Sequence, residues 1–167
     1  MRVVDIIDGT TVDGPGFRTS IYFAGCSHCC TGCHNPYTWD FNAGYDISID
    51  GILERINRNE MNVTFSGGDP LYQIGDLVKL AARVKESGKT VWCYTGFLYE
   101  EIVDSNLLSP ILNYIDVLVD GPFIQSQRNT DLIFKGSENQ RLIDIPQSSP
   151  GNIVIWEPDV LLNTGNK

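Results

Sequence analysis

The stretch "NVTFSGGDPLYQIGDLVKLAARVKESGKTVWCYTG" (62–96) decides the fold. "NVTF" (62–65) reads as a short buried strand, stopped by the turn-forming "SGGDP" (66–70). "DLVKLAARVKESG" (76–88) is the clearest helix. Leu77, Leu80, Ala81 and Val84 recur at helical spacing, and Gly88 is placed to end it. "KTVWCYTG" (89–96) is a second strand, again closed by a turn residue. Strand, helix and strand at this spacing form a βα unit with parallel strands.

The same alternation extends both ways. "RTSIYFAG" (18–25) is a β-branched and aromatic strand, and "IDGILERINR" (49–58) has the spacing of a helix. "FLYEEIVDSNLL" (97–108) reads as helical and "IDVLVDGPF" (115–123) as an apolar strand; "LIFKG" (132–136) and "NIVIW" (152–156) are further strand candidates. The expectation is an α/β fold with a mostly parallel sheet. A complete eight-fold barrel takes about 250 residues, so 167 residues allow only a partial, TIM-like βα barrel. One domain is expected over 1–156, with 157–167 a poorly ordered tail. Four strands end in the cysteine loop, "SGGDP", "YTG" and "VDGPF". In parallel α/β folds such strand ends gather around one site.

Composition narrows the function classes. With 42% hydrophobic residues the chain is globular, and its formal charge of −9 disfavours nucleic acid. No run reaches the roughly 20 apolar residues of a membrane span, and the acidic N-terminus does not read as a signal peptide. The expectation is a cytoplasmic protein with no membrane partner, where thiols stay reduced.

Four of the five cysteines crowd into "GCSHCCTGCHN" (25–35). In a reducing compartment this favours metal over disulfides. Cys26, Cys30 and Cys33 form C-x3-C-x2-C, soft donors suited to an iron–sulfur cluster or zinc. A 4Fe–4S cube normally takes four cysteines, so three leave one iron open. A structural zinc site needs a fourth ligand, usually from a second knuckle, which the chain lacks. Cys29 and Cys93 read as packing residues, and His28 and His34 as loop residues.

These residues resemble the radical S-adenosylmethionine (SAM) superfamily. "DGPGFR" (13–18), "GCSHCCTGCHNPYTWD" (25–40), "SGGDPL" (66–71), "YTGF" (94–97) and "VLVDGPF" (117–123) resemble activating enzymes of glycyl-radical enzymes. "VLVDGPFIQSQRNTDLIFKGSENQR" (117–141) is most similar to the activating proteins of anaerobic (class III) ribonucleoside-triphosphate reductases. Gly32 stands where many superfamily members carry an aromatic, and Asp69 where the superfamily motif has glutamate.

The resemblance implies a partial barrel of the radical SAM type. It implies a 4Fe–4S cluster on Cys26, Cys30 and Cys33, whose open iron binds SAM, and no catalytic residue beyond the cluster. The reduced cluster would split SAM into methionine and a 5′-deoxyadenosyl radical, which abstracts hydrogen from a reductase glycine. An external electron donor such as flavodoxin would supply the electron. Gly67, Gly68 and Asp69 would contact SAM. Arg18 would sit near the cluster and bind SAM, its charge favouring the reduced state or holding a carboxylate, or would lie in a plain turn leading into a strand. Asp120 would bind SAM or a cation, or be a β-turn residue. The alternatives are a small-molecule radical SAM enzyme such as a 7-carboxy-7-deazaguanine synthase, and a zinc-binding interaction module.

Overall fold

A computed structural model describes residues 1–158. Seven strands form one sheet: β1 (Arg2–Thr10), β2 (Arg18–Phe23), β3 (Tyr45–Asp46), β4 (Asn62–Gly67), β5 (Val91–Tyr94), β6 (Val117–Asp120) and β7 (Arg141–Asp144). Their order is β3-β1-β2-β4-β5-β6-β7. The middle of the sheet, β2-β4-β5-β6, is parallel. The outer pairings β1–β2, β1–β3 and β6–β7 are antiparallel. The fold is thus mixed α/β, and the expected parallel character belongs to its centre.

Three helices make the crossovers that parallel strands require. They are α1 (Ile49–Ile56), α2 (Ile74–Glu86) and α3 (Tyr99–Asp104). Ser48 caps α1 by accepting from the Gly51 N–H. The helical reading of 97–108 ends early, at Asp104. Ser105 turns extended, and a two-turn 3₁₀ helix (Ser109–Tyr114), with Pro110 in its first turn, follows. No helix among the described residues is long and apolar enough to cross a membrane.

Strand side chains alternate between faces. One face carries Ile21, Phe23, Val63, Phe65, Cys93, Leu118 and Ile143 against the helices. There Ile52 and Ile56 of α1 and Leu77, Leu80, Ala81 and Val84 of α2 complete the main core. The opposite face bears Tyr22, Ser66 and Tyr94, with Trp92, Val117 and Val119 packed against Phe134 and Trp156. The α-helices α1 and α2 pack on the other face, and this second face holds a cavity.

Two sequence expectations change. "LIFKG" (132–136) is not a strand, and "NIVIW" (152–156) contributes two isolated bridges, Ile143–Ile155 and Ser149–Asn152. The closing strand is β7, in the polar "ENQR" neighbourhood. The expected tail falls mostly on residues 159–167, outside the described residues.

Candidate functional site

A cavity of about 770 Å³ lies on this second face, at the C-terminal ends of the parallel strands. That volume suits a small-molecule cofactor. Its wall takes Cys26, Cys30 and Cys33 from the loop after β2, and Gly67 and Gly68 from the loop after β4. Thr95 and Gly96 follow β5, and Gly121 follows β6. The four strand-end loops therefore do face one cavity.

The cysteine loop is built on backbone bonds. Gly25 and Cys26 donate to Thr38 and Trp39 carbonyls at 2.8 and 3.2 Å, and Cys33 donates to the Cys30 carbonyl at 3.0 Å. The Gly67–Gly68 step fastens this loop from below. Gly68 donates to the Phe23 carbonyl at 2.8 Å, and Asp69 donates to the Gly25 carbonyl at 2.9 Å. A Cβ on Gly68 would fall 2.5 Å from the Gly25 oxygen and 2.8 Å from the Thr38 oxygen. The glycine is thus demanded by close approach of the cysteine loop as well as by any ligand.

Burial pushes the Cys26 thiol up to about 11, with the nearby Asp69 charge and Cys30 adding to the shift. Binding a metal there must release its proton. Cys29 is exposed, has a positive φ of 49°, and is not on the cavity wall. Cys93 is fully buried in the main core. Among the described residues no three His, Cys, Asp or Glu side chains converge on a point for a single ion. A cubane offers each thiolate a separate iron, so three thiols spread along one wall fit it as a donor set.

The remaining predicted residues sit elsewhere. Asp69 is fully buried behind the wall. Its Oδ1 accepts from the Leu71 N–H at 3.0 Å. Its Oδ2 accepts from Thr95 Oγ1 at 2.8 Å and the Gly96 N–H at 2.9 Å, and lies 2.9 Å from His28 Nε2. Asp120 is also fully buried, with its carboxylate turned to the helical side. It accepts from the Tyr99 N–H at 2.8 Å and from Arg141 Nε at 3.0 Å, with Arg141 Nη2 bonded to its second oxygen. The cation beside Asp120 is therefore Arg141.

Arg18 stands at the start of β2, while the cysteines follow its end. Five steps along the strand separate Arg18 from Phe23, about 17 Å. Its guanidinium donates to Thr64 Oγ1 at 2.7 Å and the Val63 carbonyl at 2.6 Å, and lies 5.5 Å from the Trp92 ring. Burial lowers its pKa to about 10. The expectation that Arg18 sits beside the cysteines fails because the strand carries it to the other end of the sheet.

Sequence reasoning missed two contributors. His28 packs its ring over Gly96 and edge-on to Phe97, with centroids 4.7 Å apart. Tyr22, on the cavity face, donates to Asp13 at 2.5 Å, and both line the cavity. The "DGPGFR" stretch had drawn notice, but for Arg18 rather than for Asp13. "GSENQR" (136–141) proves to be a lock on the "DGPF" turn. Gln140 Nε2 donates to the Gly121 carbonyl at 3.0 Å, and Asn139 Nδ2 donates to the Pro122 carbonyl at 2.8 Å.

Comparison with known proteins places this geometry. Residues 12–143 match the family described as 4Fe-4S single cluster domain. The anaerobic ribonucleoside-triphosphate reductase-activating protein of Escherichia coli strain K12 is 35% identical over 139 residues, covering 77% of this chain and 89% of that protein. Its counterpart in Pasteurella multocida is 35% identical over 150 residues, covering 84% and 95%. Among solved structures, QueE from Escherichia coli is 20% identical with a TM-score of 0.47, over 56% of this chain and 52% of that one. With its 4Fe-4S single cluster domain and this depth of identity, the chain belongs to the family of anaerobic ribonucleoside-triphosphate reductase-activating proteins.

Proposed function

We propose that this chain is a radical SAM enzyme that installs a glycyl radical in an anaerobic ribonucleoside-triphosphate reductase. The observation that carries the reading is the meeting of Cys26, Cys30 and Cys33 with Gly67 and Gly68 on one cavity wall, in a chain of this family. A 4Fe–4S cluster held there would, when reduced, supply the one electron needed to cleave SAM to methionine and a 5′-deoxyadenosyl radical, which would take a hydrogen atom from a reductase glycine.

The protein's part is to hold and orient. Cys26, Cys30 and Cys33, as thiolates, would hold the cluster and would leave it a position open to SAM. Gly67 and Gly68 let backbone polar groups approach SAM's methionine end. Asp69 acts one layer back, by fixing the loops that carry Gly68 and Gly96. Asp120 shapes the β6 end of the cavity through Arg141, and Arg18 braces the far end of the sheet. The parallel strands β2, β4, β5 and β6 are read as part of an incomplete barrel in a single domain over 1–156. Its open mouth admits the reductase's glycine loop. The setting is the cytoplasm, and the electron comes from an external donor such as flavodoxin.

Anaerobic purification tests this reading. Iron and sulfide near four each per chain, with 5′-deoxyadenosine formed from SAM under reduction, support it. A colourless protein holding one zinc per chain overturns it.

A further inference from the structure

We infer that His28 is a positioning residue that latches the cysteine loop to the buried Asp69 carboxylate, an inference that rests on reading Cys26, Cys30 and Cys33 as the cluster ligands. His28 lies midway between Cys26 and Cys30. Among the described residues, two side-chain bonds tie the loop between Cys26 and Cys33 to the rest of the fold. One is the exposed bond of Ser27 Oγ with Tyr72 Oη. The other is His28 Nε2 to Asp69 Oδ2, at 2.9 Å. The Asp69 side chain is 1% exposed and that of His28 18%, so water competes poorly for the second bond.

The surroundings are shaped to receive the ring. A Cβ on Gly96 would fall 2.5 Å from the imidazole, so that glycine makes its berth. Phe97 meets it edge-on, and Tyr72 flanks it with centroids 5.8 Å apart. Asp69 is in turn immobile, because Leu71, Thr95 and Gly96 already donate to it. The latch therefore joins three strand-end loops: the cysteines after β2, Gly-Gly-Asp after β4 and Thr-Gly after β5. Through it the Gly67–Gly68 backbone and the thiols keep a constant separation. A cofactor held by both needs that separation preserved.

The experiment compares the full-length protein with His28→Ala and His28→Gln. Gln places an amide nitrogen near the imidazole Nε2 position and can still donate to Asp69. Amide hydrogen exchange of residues 26–35 is read first, in the cluster-free chain. His28→Ala should speed exchange there by about 10-fold or more, as expected for losing a hydrogen bond to a charged group, with exchange in α2 unchanged. His28→Gln should restore most of the protection. In reconstituted protein, His28→Ala should also release iron to a chelator about 10-fold faster, again reversed by Gln.

Unchanged exchange in His28→Ala would overturn the latch. So would a Gln variant as defective as Ala, or loss of protection spread evenly through α2. The exchange experiment reads the latch without the cluster. Replacing Cys26, Cys30 and Cys33 tests the ligand assignment separately, so the two ideas fail independently.

Discussion

Arg141, on β7, grips the fully buried carboxylate of Asp120 on the neighbouring strand β6, donating from Nε at 3.0 Å. The same guanidinium reaches Glu100 on α3, with Nη1 and Nη2 donating at 3.0 and 2.7 Å. One cation thus ties an edge strand, a central strand and a helix beneath the cavity.

Removing that cation leaves an unpaired buried charge. Arg141→Met should destabilise the protein by about 3 kcal/mol, since breaking a buried pair costs far more than replacing both partners. The double variant Asp120→Asn with Arg141→Met should recover much of the loss, because Asn still accepts from Tyr99. Chemical denaturation of the wild type, both single variants and the double variant measures the coupling.

Acid should weaken the outer arm first. Hydrogen bonds from Arg141 hold the Glu100 carboxyl at about 2, below its ordinary 4.5. A depressed folded pKa stabilises fully above the ordinary value, and the contribution disappears as pH falls from about 4.5 towards 2. Over half of the Glu100 side chain is exposed, so solvent screening keeps the effect to about 1 kcal/mol or less. Glu100→Gln should flatten that part of the stability–pH curve and leave its shape above pH 5 as in the wild type.

The Gly68 contact makes a prediction about loop geometry. Gly68→Ala drives a methyl into the Gly25 and Thr38 carbonyls. Overpacking of this kind costs about 1–3 kcal/mol. The protein should still fold, since Gly68 lies outside the main core, but reconstituted iron content should drop. A variant with full iron would show that the cysteine loop yields without consequence.

The four thiols of the loop should divide sharply. Cys29→Ala should keep full iron, because that side chain is exposed and off the cavity wall. Cys26→Ala, Cys30→Ala and Cys33→Ala should each lose the cluster's visible absorption.

What was legible in the sequence was local. α2 was readable because Leu77, Leu80, Ala81 and Val84 repeat at helical spacing, and all four are fully buried. That Cys26, Cys30 and Cys33 share one cavity wall was readable because they lie within a single short loop. β1 escaped notice because Val3-Val4 and Ile6-Ile7 break the alternation expected of a strand. The register shifts beside Val3/Asp5 and Asp8/Thr10 are the structural form of that irregularity. β7 escaped because Ile143 is its one fully buried residue. The directions of Asp69 and Asp120 were not legible. Their partners His28, Thr95 and Arg141 lie 41, 26 and 21 residues away, and only folding brings them together. Arg18 was misjudged for a simpler reason. A six-residue strand moves its first side chain far from the loop at its end.

The central claim is that Cys26, Cys30 and Cys33 hold the cluster through which this chain makes a glycyl radical on its partner. Electron paramagnetic resonance tests it most directly, on an anaerobic mixture of the reconstituted protein, SAM, a reductant and an anaerobic ribonucleoside-triphosphate reductase. The account predicts a glycyl-radical signal that requires SAM and disappears in each of the three cysteine variants. No signal from the iron-loaded wild type with a competent reductase, or an undiminished signal from any of those variants, would contradict it.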